Sequence, residues 1–169
     1  MQTRNVTGYV AGVRWKNKLA TMSEPITHWL NVRDKPGLLH RLMREFSGGQ
    51  MSLEGDLSKC KFADEMVVSR DEIGLLKRST LYPRQDFVVL RLEPENIAPI
   101  FKNVLAAGLS RAIIHVQIEH GGVLQLGAYD NFHPECVVAG PAVSASLLAD
   151  LKSKHVLRDF SLAVAASSG

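Results

Sequence analysis

The side chains best suited to chemistry lie in residues 128–136, where acidic, imidazole, aromatic and thiol groups follow one another closely. Four of them belong to types that ligate metals or transfer protons: Asp130, His133, Glu135 and Cys136. The stretch is also typical of a turn after a strand, because Asp-Asn pairs favour turns and Pro134 interrupts regular structure. We favour the turn, and we expect Tyr129 and Phe132 to cover the core. No metal and no other cofactor is expected.

Glu54 and Asp56 form a second candidate pair, because they lie two residues apart in a stretch that alternates like a strand. Such side chains point to the same side of a strand. Two carboxylates can bind a cation or act as acid and base, but we expect a solvated strand face. Together with Tyr129, Asp130 and His133, this acidic face is a candidate protein interface.

Other chemical signals are weak. The chain has no HExxH, GxxxxGK[ST], GxSxG or GxGxxG motif. His115 lies in an apolar stretch and is expected to be a satisfied core histidine. Cys60 and Cys136 are too few and too far apart for a zinc ribbon or a redox CxxC, so free thiols are expected. These observations favour binding over catalysis.

Composition excludes disordered, collagen-like and coiled-coil proteins. The 169 residues are 46% hydrophobic and 22% charged, as in a folded domain. The net charge of +3 comes from the first 23 residues, which hold four basic and no acidic side chains, whereas the rest has 16 basic and 17 acidic. Without a basic stripe on the domain, nucleic-acid binding is not expected. No apolar run is long enough to span a membrane, and we expect a cytoplasmic protein.

Patterning predicts one α+β domain over residues 25–162, between a flexible tail at 1–24 and a frayed end at 163–169. Met22 is an alternative start. Alternating apolar residues predict strands at 26–33, 51–57, 87–92, 113–118 and 123–129. Helical spacing and caps predict helices at 36–46, at 94–108 and after Ser144. The order predicts a ferredoxin-like βαββαβ sandwich with a C-terminal hairpin strand and helix. The irregular segment 59–85 is long enough to be functional or to contain an element of its own.

The stretch Val32-Arg-Asp-Lys-Pro-Gly-Leu-Leu39 resembles the strand-to-helix turn of ACT domains, the ferredoxin-like modules that sense amino acids. Five residues match the D-x-P-G-L-L pattern of that family: Asp34, Pro36, Gly37, Leu38 and Leu39. Gln50 replaces the usual Asn before the second strand. The resemblance implies a homodimer that binds a small carboxylate-bearing ligand near Asp34, Gly37, Leu38 and Gln50, where the N–H groups of a helix N-terminus can receive it.

Three functions follow, in order of preference. The first is a non-catalytic regulatory or ligand-binding module that resembles ACT domains. The second is a stand-alone protein-binding inhibitor, such as the immunity protein of a bacterial toxin, with the acidic strand face and the segment 59–85 as its interface. The third is a metal-dependent enzyme that uses residues 130–136.

Overall fold

The fold combines one antiparallel sheet with three α-helices in the part of the chain that the computed structural model describes, residues 26–109 and 111–163. The strands are β1 (His28–Val32), β2 (Gln50–Gly55), β3 (Val67–Ser69), β4 (Asp86–Arg91), β5 (Ile113–His120), β6 (Val123–Ala128), β7 (Val137–Ala139) and β8 (Leu157–Leu162). The helices are α1 (Lys35–Glu45), α2 (Pro94–Ala107) and α3 (Ala145–Ser153). The predicted α+β class is confirmed.

The sheet order is β3-β4-β2-β5-β6-β7-β1-β8, and every pairing is antiparallel. Helix α2 therefore connects two parallel strands, β4 and β5, that flank β2, and α3 connects β7 and β8 around β1. Strand β1 pairs with β7 and β8 and not with β2, β4 or β5. The four strands assigned to the βαββαβ unit, β1, β2, β4 and β5, thus do not form a sheet of their own, and the ferredoxin-like arrangement is not confirmed.

Local sequence explains how each crossover helix starts. The Asp34 carboxylate accepts a hydrogen bond from the Gly37 N–H at 2.9 Å and caps α1, with Pro36 in the first turn. Ser144 caps α3 in the same way through the Leu147 N–H, at 3.1 Å. Buried residues of all three helices belong to one core cluster with one face of the sheet. The helices therefore cover that face and leave the opposite face to other segments.

The remaining strands agree only in part with the elements predicted from the sequence. The hairpin between β5 and β6 is confirmed, and its turn residues Gly121 and Gly122 have φ values of 62° and 78°, which glycine tolerates best. Strands β7 and β8 were not predicted, because one has three residues and the other lacks clear alternation. The segment 59–85 contains a 3-10 helix (Asp64–Met66) and β3. The predicted tail at 1–24 and most of the predicted frayed end lie outside the described residues.

The capped start of α1 gives a first prediction. A Cβ atom at residue 37 would overlap the carboxylate of Asp34, so Gly37→Val should displace the cap and lower the free energy of unfolding by about 1 kcal/mol. Asp34→Ala removes the same cap at a similar cost. In the double variant the two losses should not add, because the displaced group is already absent. Urea unfolding of the four proteins measures this, and fully additive losses would contradict the prediction.

Candidate functional site

Polar side chains on the sheet face opposite the helices are buried. Ser52 and Glu54 on β2 are 2% and 1% exposed, and their cross-strand partners on β5, Gln117 and His115, are 3% and 4% exposed. Both faces of these central strands are therefore covered. The prediction that Glu54 lies on a solvated face was wrong, because alternation locates the second face of a strand but does not show what covers it.

Residues 70–85, called the covering loop below, lie over this polar face. The Ser79 and Thr80 N–H groups donate to the two oxygens of the Glu54 carboxylate, at 2.6 and 2.9 Å. The Lys77 N–H donates to the Gln117 side-chain oxygen at 3.0 Å. Backbone donors of the loop are thus matched to acceptors of the sheet, so the loop is held by hydrogen bonds that an apolar face could not offer.

An apolar contact secures the same loop. Leu76 is 1% exposed and packs with Phe87 and Val89 of β4 in a cluster separate from the main core. Isolated bridge hydrogen bonds join Leu76 to Ile73 and close a tight turn before the anchored residues. The covering loop therefore contributes to a second, smaller core on its own face of the sheet.

Tyr129 completes the polar cluster. Its hydroxyl accepts a hydrogen bond from the Gln117 side-chain amide at 3.0 Å, and the Ser52 hydroxyl donates to the oxygen of the same amide at 3.0 Å. Burial raises the pKa of Tyr129 to about 12, and the negative charge of Glu54 adds to that rise, against the hydrogen bond from Gln117. Tyr129 is 2% exposed and belongs to a buried cluster, as expected for a side chain that covers the core, so it offers little surface to a protein partner.

The hydrogen bonds of His115 fix its tautomer. Its Nδ1 receives the Asp130 N–H at 3.1 Å, so Nδ1 carries no proton. The proton of the neutral ring is therefore on Nε2, which donates to the Thr80 hydroxyl at 2.8 Å. A Thr–His pair at this distance has the spacing of a nucleophile and its base, but here the nitrogen that faces the hydroxyl already holds a proton. The pair positions the loop and does not activate Thr80.

The predicted turn at 130–136 is confirmed and has an unusual backbone. Asp130, Asn131 and Phe132 have φ values of 49°, 55° and 60°, a left-handed run that Asp and Asn tolerate and Phe does not favour. Phe132 is 3% exposed within the main core, so its burial offsets the strain. The turn brings the Asp130 N–H to His115, whereas His133 is exposed and its Nδ1 accepts from the Glu135 N–H at 3.2 Å.

Asp56 does not share the environment of Glu54. It lies just beyond β2 in solvent, where hydrogen bonds from the hydroxyl and N–H of Ser58 hold the pKa of its carboxyl below the usual value. The bulge between Glu54 and Gly55 interrupts the strand alternation that placed the two carboxylates on one face. The predicted acidic pair is therefore split between a buried and an exposed group.

The four residues that the ACT resemblance places around a ligand do not converge within one chain. Asp34 caps α1, the Leu38 side chain is fully buried, and a Cβ atom at Gly37 would meet the cap. Gln50 begins β2, and the end of β1 near Asp34 lies at the opposite end of the sheet, since these two strands run parallel with three strands between them. A shared site would need a second copy of the chain, and the ligand site stays a prediction.

The feature that sequence reasoning missed is the tip of the covering loop. Leu81 and Tyr82 are 82% and 91% exposed, directly after the anchored Ser79 and Thr80. The available signal was two adjacent large apolar residues within the otherwise polar stretch 77–85, followed by Pro83. A loop that projects such residues from a fixed base is a common way to present a binding surface.

The buried Glu54 carboxylate gives a second prediction. Glu54→Gln keeps one acceptor oxygen but turns an amide NH₂ toward a backbone N–H, so stability should fall by about 1–3 kcal/mol. Hydrogen exchange at the Ser79 and Thr80 amides should accelerate, and trypsin should cut faster after Lys77. Glu45→Gln, at an exposed helical site, is the matched control and should change none of these. Unchanged exchange in Glu54→Gln would contradict the anchor.

The burial of Tyr129 gives a prediction about pH. Its phenolate absorbance should appear only near pH 12, and that step should be absent in Tyr129→Phe. The folded state holds this proton more tightly than the unfolded chain, whose tyrosine pKa is about 10. The stability from this group should therefore be complete below pH about 10 and be lost as the pH rises toward about 12. Phenolate absorbance at the ordinary pH from every tyrosine of the folded protein would contradict it.

The described residues contain neither a metal-binding cluster nor a membrane-spanning helix. Among residues 26–109 and 111–163, no group of three or more His, Cys, Asp or Glu side chains is placed to hold a metal ion. None of the helices in those ranges has the length and apolar character needed to cross a membrane. Comparisons of the chain with protein-family models, curated proteins and solved structures find no match.

Proposed function

We propose that the protein is a non-catalytic protein-binding module that uses Leu81 and Tyr82 as its recognition element. The observation that carries the proposal is the contrast between the exposed tip and its fixed base. Ser79 and Thr80 are tied to Glu54 by hydrogen bonds of 2.6 and 2.9 Å, and the next two side chains extend into solvent. A rigid base keeps the entropy cost of binding low.

The chemistry of the tip fits a protein partner. Tyrosine offers a large amphipathic surface with few rotatable bonds, and it is enriched among residues that dominate binding energy. The described residues include three other exposed large apolar side chains: Ile73, Leu105 and Leu162. None of those three adjoins another in sequence. The partner expected is a protein with an apolar pocket that takes both tip side chains.

This proposal keeps the inhibitor hypothesis but moves its interface. The acidic strand face cannot serve, since Glu54 is buried beneath the loop. Within the segment 59–85, the large apolar side chains with the greatest exposure are Leu81 and Tyr82 of the tip. An inhibitor acts by occupying a surface of its target, so it needs no catalytic group of its own.

An ACT-like, ferredoxin-like regulatory homodimer is the second hypothesis. It is favoured by the match of Asp34, Pro36 and Gly37 to the family turn. It requires a dimer, because Gln50 lies at the start of β2 and Asp34 lies beyond the end of β1, at opposite ends of parallel strands. A protein that is strictly monomeric, and whose melting temperature no amino acid raises, would remove this hypothesis.

The test of the tip uses paired variants. A partner captured with the purified protein is identified, produced separately and titrated against wild type, Leu81→Ser, Tyr82→Ser and Leu162→Ser. Each tip substitution should weaken binding about tenfold or more, as loss of a dominant interface residue does. Leu162 is 72% exposed on β8, so its variant controls for loss of exposed apolar surface. Equal affinities across the series, or failure to find any partner, would contradict the proposal.

A further inference from the structure

Three arginines of the covering loop line one cleft. Arg70, Arg78 and Arg84 border a space of about 520 Å³ together with Leu57, Ser58, Gln85, Asp86 and Phe87. Arg70 and Arg84 are exposed, whereas the Arg78 side chain is 13% exposed. The cleft therefore combines one largely buried arginine side chain with two exposed ones.

Contacts on several sides hold Arg78 in place. Its Nη1 donates to the Gln85 carbonyl at 2.6 Å, and its guanidinium carbon lies 4.9 Å from the centre of the Phe87 ring. Its Nε is buried without a hydrogen-bond partner, and the nearest carboxylate oxygen, on Asp71, is 3.7 Å away. That distance is too long for a hydrogen bond. Because Nε is buried, a ligand in the cleft would meet the Nη1 and Nη2 groups of Arg78, which carry four of the five guanidinium N–H donors.

The acidic groups near the cleft are already engaged. The Asp86 carboxylate accepts the Leu57 N–H at 3.0 Å. Asp71 accepts the Glu72 N–H at 2.9 Å, and this bond, with the charges of Arg78 and Arg84, holds the pKa of Asp71 below its usual value. The Glu72 carboxylate accepts the Arg78 backbone N–H at 2.7 Å. The residues that line the cleft itself carry three guanidinium groups and one carboxylate, that of Asp86, so the lining is positively charged.

We propose that this cleft binds a phosphate group. Guanidinium groups present planar pairs of donors that match phosphate oxygens. Several guanidinium groups together match the two negative charges of a phosphate better than the single charge of a carboxylate ligand. Arg78 supplies a pre-positioned donor, and Arg70 and Arg84 close on the remaining oxygens. The space of about 520 Å³ has room for a phosphate monoester with a small group attached.

The phosphate has two chemical sources, a small phosphorylated metabolite or a phosphorylated side chain of a protein. Free phosphoserine and a short peptide that contains phosphoserine distinguish them. Similar affinities indicate a metabolite site, whereas about tenfold tighter binding of the peptide indicates recognition of a modified protein. An unphosphorylated peptide serves as the control for contacts unrelated to the phosphate.

The experiment is a titration of the full chain with inorganic phosphate, phosphoserine and the two peptides, at constant ionic strength maintained with chloride. Phosphate compounds should raise the melting temperature and shift the amide signals of residues 70–87 in NMR spectra. Arg70→Gln with Arg84→Gln should abolish both effects, and Arg158→Gln, at an exposed site on β8, should abolish neither. Arg78→Lys should weaken binding and keep the fold.

Two results would overturn the site: no response to any phosphate compound, or an equal response in the double variant and wild type. Neither result bears on the tip, because Leu81 and Tyr82 are unchanged in every protein of the series. The double variant should also bind the protein partner of the tip if the two sites are independent.

Discussion

The buried carboxylate of Glu54 is the constraint on which the second face of the sheet depends. A charged group in this position is stable only if donors surround it, and two of these are the Ser79 and Thr80 N–H groups. The loop in turn needs those acceptors, since its own backbone makes few regular hydrogen bonds there. Each side therefore satisfies the other, and the polar face and the loop form as one unit.

Much of the α+β architecture follows from local pattern. The caps at Asp34 and Ser144 and the Gly121–Gly122 turn are short-range signals, and the structure bears them out. Strand order is not local, because it depends on which edges remain free after the crossovers pack. The insertion of β6 and β7 between β5 and β1 is a long-range choice, and no residue spacing in the sequence encodes it.

The sequence predicts only parts of the candidate site, because the contacts between the sheet and the covering loop are also long-range. Glu54, His115 and Tyr129 were each noticed in the sequence, but a polar residue on an alternating strand has the same pattern whether water or a loop covers it. The covering loop lacks periodicity. Its anchors at Lys77, Ser79 and Thr80 are backbone N–H groups, which every residue except proline has, so the sequence does not mark them. Side-chain identity therefore predicts the acceptors of this contact and not its donors.

The position of the proton on the His115 ring distinguishes a binding role from a catalytic role for the buried polar side chains around Glu54. The Asp130 N–H reaches His115 because residues 130–132 adopt left-handed φ values, and the burial of Phe132 sustains that backbone. The donated N–H forces the histidine proton onto Nε2, where it points at the Thr80 hydroxyl. The buried Phe132 side chain thereby determines which atom is the donor in the hydrogen bond between His115 and Thr80, which holds the loop. The resulting site is rigid and fully paired at these atoms, which suits a platform for Leu81 and Tyr82 better than it suits proton transfer.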